Sequence, residues 1–146
     1  MTARTTSGVE QEFRMDIGVR LLDLDPNGHV NHASYLSYAE TARVRHLSAA
    51  GRSPARLAAS GLAVVVLRLE IDYRRELVWD DPVSATSRFR FEGARSAFRN
   101  TGRVLAGDQV AAELEVVLGV LDLASRRLTK DSRAILAKEG GISDDR

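Results

Sequence analysis

The chain has 146 residues, 44% of them hydrophobic and 28% charged, with no cysteine and a formal net charge of +1. That length supports one core rather than two and buries roughly 68–70% of the unfolded chain's surface without disulfides or a structural metal. The missing thiols exclude cysteine nucleophiles, thiolate zinc sites and redox exchange, and the balanced charge excludes the one-sided field of a general nucleic-acid or membrane-surface binder.

The polar stretch at residues 1–12 lacks the apolar centre of a secretory signal, and no apolar run approaches the ~20 residues that cross a bilayer. A cytoplasmic protein with residues 1–11 flexible is expected. From Phe13 the apolar residues fall on odd positions, Phe13, Met15, Ile17, Val19 and Leu21, which predicts a half-buried strand. Pro26, Asn27 and Gly28 then break the alternation, so Asp23–His29 is a loop.

Ala33–Ala50 contains neither Gly nor Pro and predicts the main helix, with Asn31 as N-cap and Gly51 in the position of a left-handed C-cap. Tyr35, Ala39, Ala42, His46 and Ala49 trace one narrow stripe along it, which suits close packing on a sheet. The connector Gly51–Gly61 holds a short helical turn from Pro54 to Ala59. Strands follow over Leu62–Tyr73, with Val65, Leu67, Leu69, Ile71 and Tyr73 on one face, and over Val83–Phe91, with Ser84, Thr86, Arg88 and Arg90 facing outward. Two more span Ser96–Ala106 and Gln109–Leu123, the last placing Val110, Ala112, Leu114, Val116, Leu118 and Val120 on one side. A short helix from Ser132 to Glu139, stopped by Gly140 and Gly141, precedes a flexible end at 141–146. The order gives an α+β arrangement over residues 1–146, one helix covered by an antiparallel sheet.

Serine-hydrolase, metalloprotease, P-loop and dinucleotide signatures are absent from the sequence. What stands out is a polar cluster, Asp23, Asp25, Asn27, His29, Asn31 and His32, between the first strand and the helix. The run Asp23-Leu-Asp-Pro-Asn-Gly-His-Val-Asn-His-Ala-Ser-Tyr-Leu-Ser-Tyr-Ala-Glu-Thr-Ala-Arg43 resembles the signature of hotdog-fold thioesterases. It is most similar to the 4-hydroxybenzoyl-CoA thioesterase-like acyl-CoA hydrolases, and similar also to the Asp-x-Asn-x-His run of plant acyl-ACP thioesterases. The resemblance implies a long central helix wrapped by a five- or six-stranded antiparallel sheet with a short C-terminal helix. It also implies a homodimer or dimer of dimers with sites at the subunit interface, and an acyl-CoA or acyl carrier protein thioester as substrate. By the same resemblance, the carboxylate of Asp25 is nucleophile or general base, and the His32 backbone N–H at the helix start binds the thioester oxygen.

The chemistry fits those residues. A thioester is an activated acyl group whose hydrolysis needs an ionised oxygen and a donor for the developing oxyanion, with no cofactor and no metal. A helix N-terminus offers unpaired N–H groups and positive potential, which favour that oxyanion. Asn27 and His29 are placed to orient Asp25, the water or the carbonyl. Glu40 and Arg43 match the Glu-x-x-Arg of the family helix, in a support role rather than in the chemistry. Plainer readings stand beside these: Asp25 as an Asx turn, Asp23 as structural, His29 as loop packing, and Glu40 with Arg43 as an ordinary i, i+3 pair. Asp25, His29 and His32 also read as metal ligands, without a further ligand motif to support them.

For the carrier's phosphates, Arg88, Arg90, Arg95 and Arg99 surround the Gly93 turn, and Arg95-Ser96 resembles the Arg-Ser that opens the corresponding family strand. Arg95, Ser96 and Arg99 lead that group, with Arg88 behind them and Arg126, Arg127 and Arg133 as alternatives; a solvated strand face is the plain reading of all. Tyr35 and Tyr38 are packing residues, with Tyr35 the candidate to meet the acyl group. The leading expectation is therefore an acyl-CoA thioesterase. Its rivals are a non-catalytic acyl-CoA or acyl-ACP binding module of the same fold and, more distantly, a hotdog dehydratase.

Overall fold

The computed structural model describes residues 8–137. The predicted helix end at Glu139, its glycine stop and the expected flexible residues 1–7 and 141–146 lie outside that range. Within it, the elements in chain order are β1 (Phe13–Asp16), α1 (His32–Ala49), α2 (Pro54–Ala59), β2 (Leu62–Tyr73), β3 (Val83–Arg90), β4 (Ala97–Ala106), β5 (Gln109–Asp122), β6 (Arg127–Leu128) and α3 (Ser132–Leu136). Among the described residues one six-stranded antiparallel sheet runs β1-β3-β4-β5-β2, with β6 beside β5. The long helix α1 lies mainly over β3 and β4. This is the hotdog arrangement.

Several local outcomes differ from the sequence reading. Residues 8–10 are not loose: they form a 3₁₀ turn that buries Val9 to 1% exposure. The first strand ends at Asp16 rather than Leu21. Ile17 donates one more hydrogen bond, to the Val83 carbonyl at 2.9 Å, but β3 begins at Val83 and the residue before it, Pro82, has no N–H to continue the ladder. The alternation persists in burial alone, with Ile17 and Val19 packed on the core, until Leu21–Asp23 turns as a 3₁₀ helix. Periodicity reports which side is buried, not whether a neighbour is there to pair.

Helix α1 starts one residue earlier than predicted, because Asn31 Oδ1 accepts the Ala33 N–H at 2.9 Å and so fixes the cap. Tyr35, Ala39, Ala42 and His46 are buried as the stripe requires, joined by Tyr38, Arg43 and Leu47. Ala49 is exposed instead, while Leu47 and Ala50 carry the packing at the helix end.

Strand β2 carries the largest correction. Val66 pairs with Leu118 and Arg68 with Val117, so Leu67 is an extra, bulged residue. The bulge exchanges faces. Val64 reaches the core before it and Ile71 after it, while Val65 and Leu67 leave the predicted face. In β3 the polar Ser84, Thr86 and Ser87 are all buried, against the expected outward exposure of Ser84 and Thr86. Arg14 on β1 reaches over to the Gly107 carbonyl, and Arg103 on β4 reaches back to Glu12. Their stems cover the small outer side chains of β3. Gly102 answers the same crowding, because a Cβ there would stand 2.9 Å from the Thr86 carbonyl oxygen.

The core has two apolar halves. One gathers Val30, Tyr35, Tyr38, Leu77, Val83 and Val104 near the helix start; the other gathers Val9, Leu47, Leu57, Phe89, Phe98 and Leu118 near its end. A buried polar layer separates them. His46 Nε2 lies 3.1 Å from the Gly8 carbonyl and Nδ1 3.1 Å from Ser87 Oγ, which accepts from Asn100 Nδ2 at 2.8 Å. A carbonyl only accepts, so Nε2 carries the proton and Nδ1 accepts from the Ser87 hydroxyl. Phe13 stacks on the imidazole, with ring centroids 5.2 Å apart.

Burial pushes the His46 pKa down, with the Gly8 contact opposing it weakly. The folded chain therefore favours neutral His46, and its contribution is complete above the unfolded value of about 6.5. Thermal melting across pH 5–8 is expected to show stability falling below that value, and His46→Gln is expected to flatten the slope.

Candidate active site

The loop expected between strand and helix is a miniature hairpin. Leu24 bridges Val30, and His29 bridges Val78 in the segment after β2. Asp25-Pro26-Asn27-Gly28 closes with the Gly28 N–H on the Asp25 carbonyl at 3.1 Å, and Asp25 N–H returns to the His29 carbonyl at 2.7 Å. Pro at the second turn position and Gly28 at φ +80° suit a tight turn followed by a left-handed residue, the usual three-residue hairpin. Asp25 Oδ1 accepts both the Asn27 N–H at 2.9 Å and the His29 N–H at 3.0 Å. Its Oδ2 has no protein donor among the described residues. The Asx-type turn is thus real, and it aims the carboxylate rather than consuming it.

Asp23, two residues earlier, is a different kind of carboxylate. It is 3% exposed and is held by the Arg20 N–H at 2.9 Å, the Arg20 guanidinium at 3.0 Å and the Tyr38 hydroxyl at 2.8 Å. Burial alone raises its pKa, but these hydrogen bonds together outweigh that and hold it below the usual carboxylate value. Tyr38 is pushed up in turn, by burial first and then by the carboxylate it bonds. The Asp23 carbonyl also accepts the Asn31 N–H at 2.7 Å, which fastens the hairpin to the helix cap. Asp23 is structural.

A cleft of about 420 Å³ opens beside the hairpin, lined by Asp25, His29, His32, Tyr35, Tyr73 and the Arg74–Glu76 segment. His29 Nε2 stands 3.4 Å from Glu76 Oε2. The Tyr73 hydroxyl donates to the His32 carbonyl at 2.9 Å, and the Tyr35 hydroxyl donates to the Arg75 carbonyl at 3.0 Å. In the helix's first turn the Ala33 and Ser34 N–H groups are taken by Asn31. The His32 N–H has no acceptor among the described residues.

The structure thus brings Asp25, His29, His32 and Tyr35 together. Asn27 does not line the cleft; what it supplies is its main-chain N–H. The carrier candidates are elsewhere. Arg95 and Ser96 offer their carbonyls to Ser132 at the start of α3, Arg99 pairs with Glu115 on the exposed sheet face, and Arg88 sits opposite Thr101 on that face. Tyr73 pairs with Ala112 and Ala97 with Gly119 along β5, so seven residues, about 24 Å at roughly 3.4 Å each, separate the two groups. Among the described residues no group of three or more His, Asp or Glu is arranged to hold a metal ion, so Asp25, His29 and His32 do not converge as ligands. The sequence reading missed Tyr73-Arg74-Arg75-Glu76 as site residues; an aromatic and a charge run ending the longest exposed strand was the available signal.

The sequence profile of the thioesterase-like superfamily matches residues 19–138. The chain belongs to the thioesterase-like superfamily. The long-chain acyl-CoA thioesterase FadM of Escherichia coli is 31% identical over 116 residues, 79% of this chain and 87% of that protein. A thioesterase from Thermus thermophilus, crystallised with coenzyme A and zinc, is 38% identical with a TM-score of 0.68, covering 80% of this chain and 88% of that one. A 1,4-dihydroxy-2-naphthoyl-CoA thioesterase from Synechocystis, 19% identical, shares the fold with a TM-score of 0.74 over 82% of this chain and 89% of that one. No helix among the described residues is long and apolar enough to cross a membrane.

The Asp23 network gives this superfamily member a measurable signature. Tyr38→Phe leaves a buried carboxylate short of one donor and is expected to cost about 1–3 kcal/mol of stability in denaturant unfolding. Because the folded pKa of Asp23 is depressed, that loss is expected at neutral pH and to shrink as pH falls below about 4.

Proposed function

We propose that this chain hydrolyses acyl-CoA thioesters to a free acid and CoA. The observation that carries the reading is the pairing of an aimed carboxylate with an open helix start: Asp25 Oδ1 is fixed by two main-chain N–H groups, and Asp25 and His32 line one cleft. The thioester carbonyl oxygen meets the His32 N–H, where the helix dipole stabilises the developing negative charge. Asp25 Oδ2 acts as general base or nucleophile. As base it takes a proton from water while the water oxygen attacks the acyl carbon; the C–S bond then breaks and the leaving sulfur takes that proton from Asp25, giving the free acid and CoA.

The same reading makes the active unit a homodimer. Strand β2 is an edge of the sheet, and its exposed Val66, Leu67, Leu69 and Tyr73 are an aggregation hazard unless paired. Two copies joined edge to edge about a two-fold axis run their β2 strands antiparallel, which sets the Tyr73 end of one beside the Leu62 end of the other. That places the partner subunit's Arg95 and Ser96 near this chain's Asp25, about two strand spacings in from the seam. The separation of carrier and catalytic residues within one chain then becomes proximity between two. The cytoplasmic location expected from the sequence goes with this proposal.

Thiol release from a panel of acyl-CoAs tests it. Asp25→Asn keeps shape and removes charge, and it is expected to lower kcat by about 10²–10⁴-fold with an unchanged melting profile; an unaffected rate ends the assignment. Arg95→Ala and Arg99→Ala are expected to raise KM for CoA esters more than for pantetheine esters, which lack the nucleotide phosphates. Sedimentation at assay concentration is expected to give a dimer, and a fully active monomer would contradict the shared site.

A further inference from the structure

The hairpin that aims Asp25 carries at its tip the dipeptide Asn27-Gly28, whose side-chain amide the proposed chemistry does not use. That amide is exposed and makes no hydrogen bond among the described residues. The chain's other two asparagines are committed: Asn31 Oδ1 accepts the Ala33 N–H at 2.9 Å, and Asn100 Nδ2 donates to Ser87 Oγ at 2.8 Å. They precede His32 and Thr101, whose side chains crowd the next main-chain nitrogen. Gly28 stands at φ +80° with nothing within 4 Å of where a Cβ would sit. Its N–H makes the turn's own bond to the Asp25 carbonyl at 3.1 Å, so opening the hairpin tip frees it while the core stays closed.

A free asparagine amide beside an unhindered glycine nitrogen is the arrangement in which asparagine deamidates, the chemistry behind its thermolability. We propose that Asn27 is a self-modification site that converts to isoaspartate, with water as the sole co-reactant, and thereby disarms Asp25. The Gly28 nitrogen attacks Asn27 Cγ. The new N–Cγ bond closes a five-membered succinimide, the Cγ–Nδ2 bond breaks, and Nδ2 leaves as ammonia with the Gly28 proton. Water then opens the ring: at the main-chain carbonyl it gives isoaspartate, whose chain runs on through Cβ and Cγ, and at Cγ it gives aspartate on the original backbone. The isoaspartate atom is inserted inside the loop closed by the Asp25 N–H on the His29 carbonyl at 2.7 Å and by the His29 N–H on Asp25 Oδ1 at 3.0 Å. With that register lost, Asp25 loses a donor that aims it, and the new carboxylate sets a second negative charge two residues away. The effect on rate rests on the hydrolase reading above; the modification does not.

The purified full chain, aged at physiological temperature and neutral pH, tests the proposal. Peptide masses are expected to show conversion at Asn27 with Asn31 and Asn100 intact, and an isoaspartate-specific methyltransferase with S-adenosylmethionine is expected to label the product. Thiol release from acyl-CoA is expected to fall in proportion, so that conversion of half the chains to isoaspartate halves the rate. Asn27→Gln, which would have to close a six-membered ring, is expected to hold its own starting rate over the same period. Asn27 intact after ageing would overturn the proposal. So would conversion that leaves thiol release unchanged, or Asn27→Gln losing its rate at the wild-type pace. If the fresh chain released no thiol from any ester, the hydrolase reading alone would fall. Mass and methyl uptake need no turnover and would still decide the modification, and protection against heat by acyl-CoA, compared between fresh and converted chain, would decide its effect on the site.

Discussion

The geometry of the candidate site depends on one buried carboxylate that does no chemistry. Asp23 is taken out of water at a cost that the Arg20 and Tyr38 hydrogen bonds offset, and its carbonyl holds the Asn31 N–H. Asn31 caps α1 and Asp25 stands two residues beyond Asp23, so one anchor sets both the helix start and the hairpin tip. Two aspartates two residues apart thereby differ through environment alone. Asp23 has its oxygens committed and no solvent; Asp25 has one oxygen committed and one open to a cleft.

The second constraint is the edge. A 12-residue strand with bulky apolar side chains at the sheet margin calls for a neighbour, and a β-bulge at Leu67 lets it send Val64 inward at one end and Ile71 inward at the other. The cleft beside Asp25 sits at the Ile71 end, where Tyr73 lines it. Antiparallel symmetry joins unlike ends, which is why a single exposed strand organises the functional reading.

Legibility from sequence followed the range of the cause. Asn31 as cap and Pro54–Ala59 as a short helix rest on side-chain-to-backbone bonds within three residues, and both stand in the structure, as do the limits of β2. The end of β1 failed because it depends on Pro82, some 65 residues away. Val9 failed because its polar neighbours hid a single residue whose turn packs against β3, far along the chain. The face of β2 failed because a bulge is written in the pairing with β5 and leaves no mark on alternation. At the site, Asp25, His29 and His32 were legible as a local run, whereas Tyr73 and Glu76 reach the cleft only through the bridge between His29 and Val78.

By itself the sequence carried the superfamily in the Asp23–Arg43 run, and it determined the α+β architecture and a polar loop feeding a capped helix, because capping, turn chemistry and burial periodicity act over a few residues. Only the tertiary structure decided which oxygen of Asp25 is open, that Asn27 serves through its main chain, and that the Asp25 cleft and the Arg95-Ser96 turn lie at opposite ends of β5. Those facts are distances between residues far apart in the chain, and they exist only once long-range strand pairing has fixed the register.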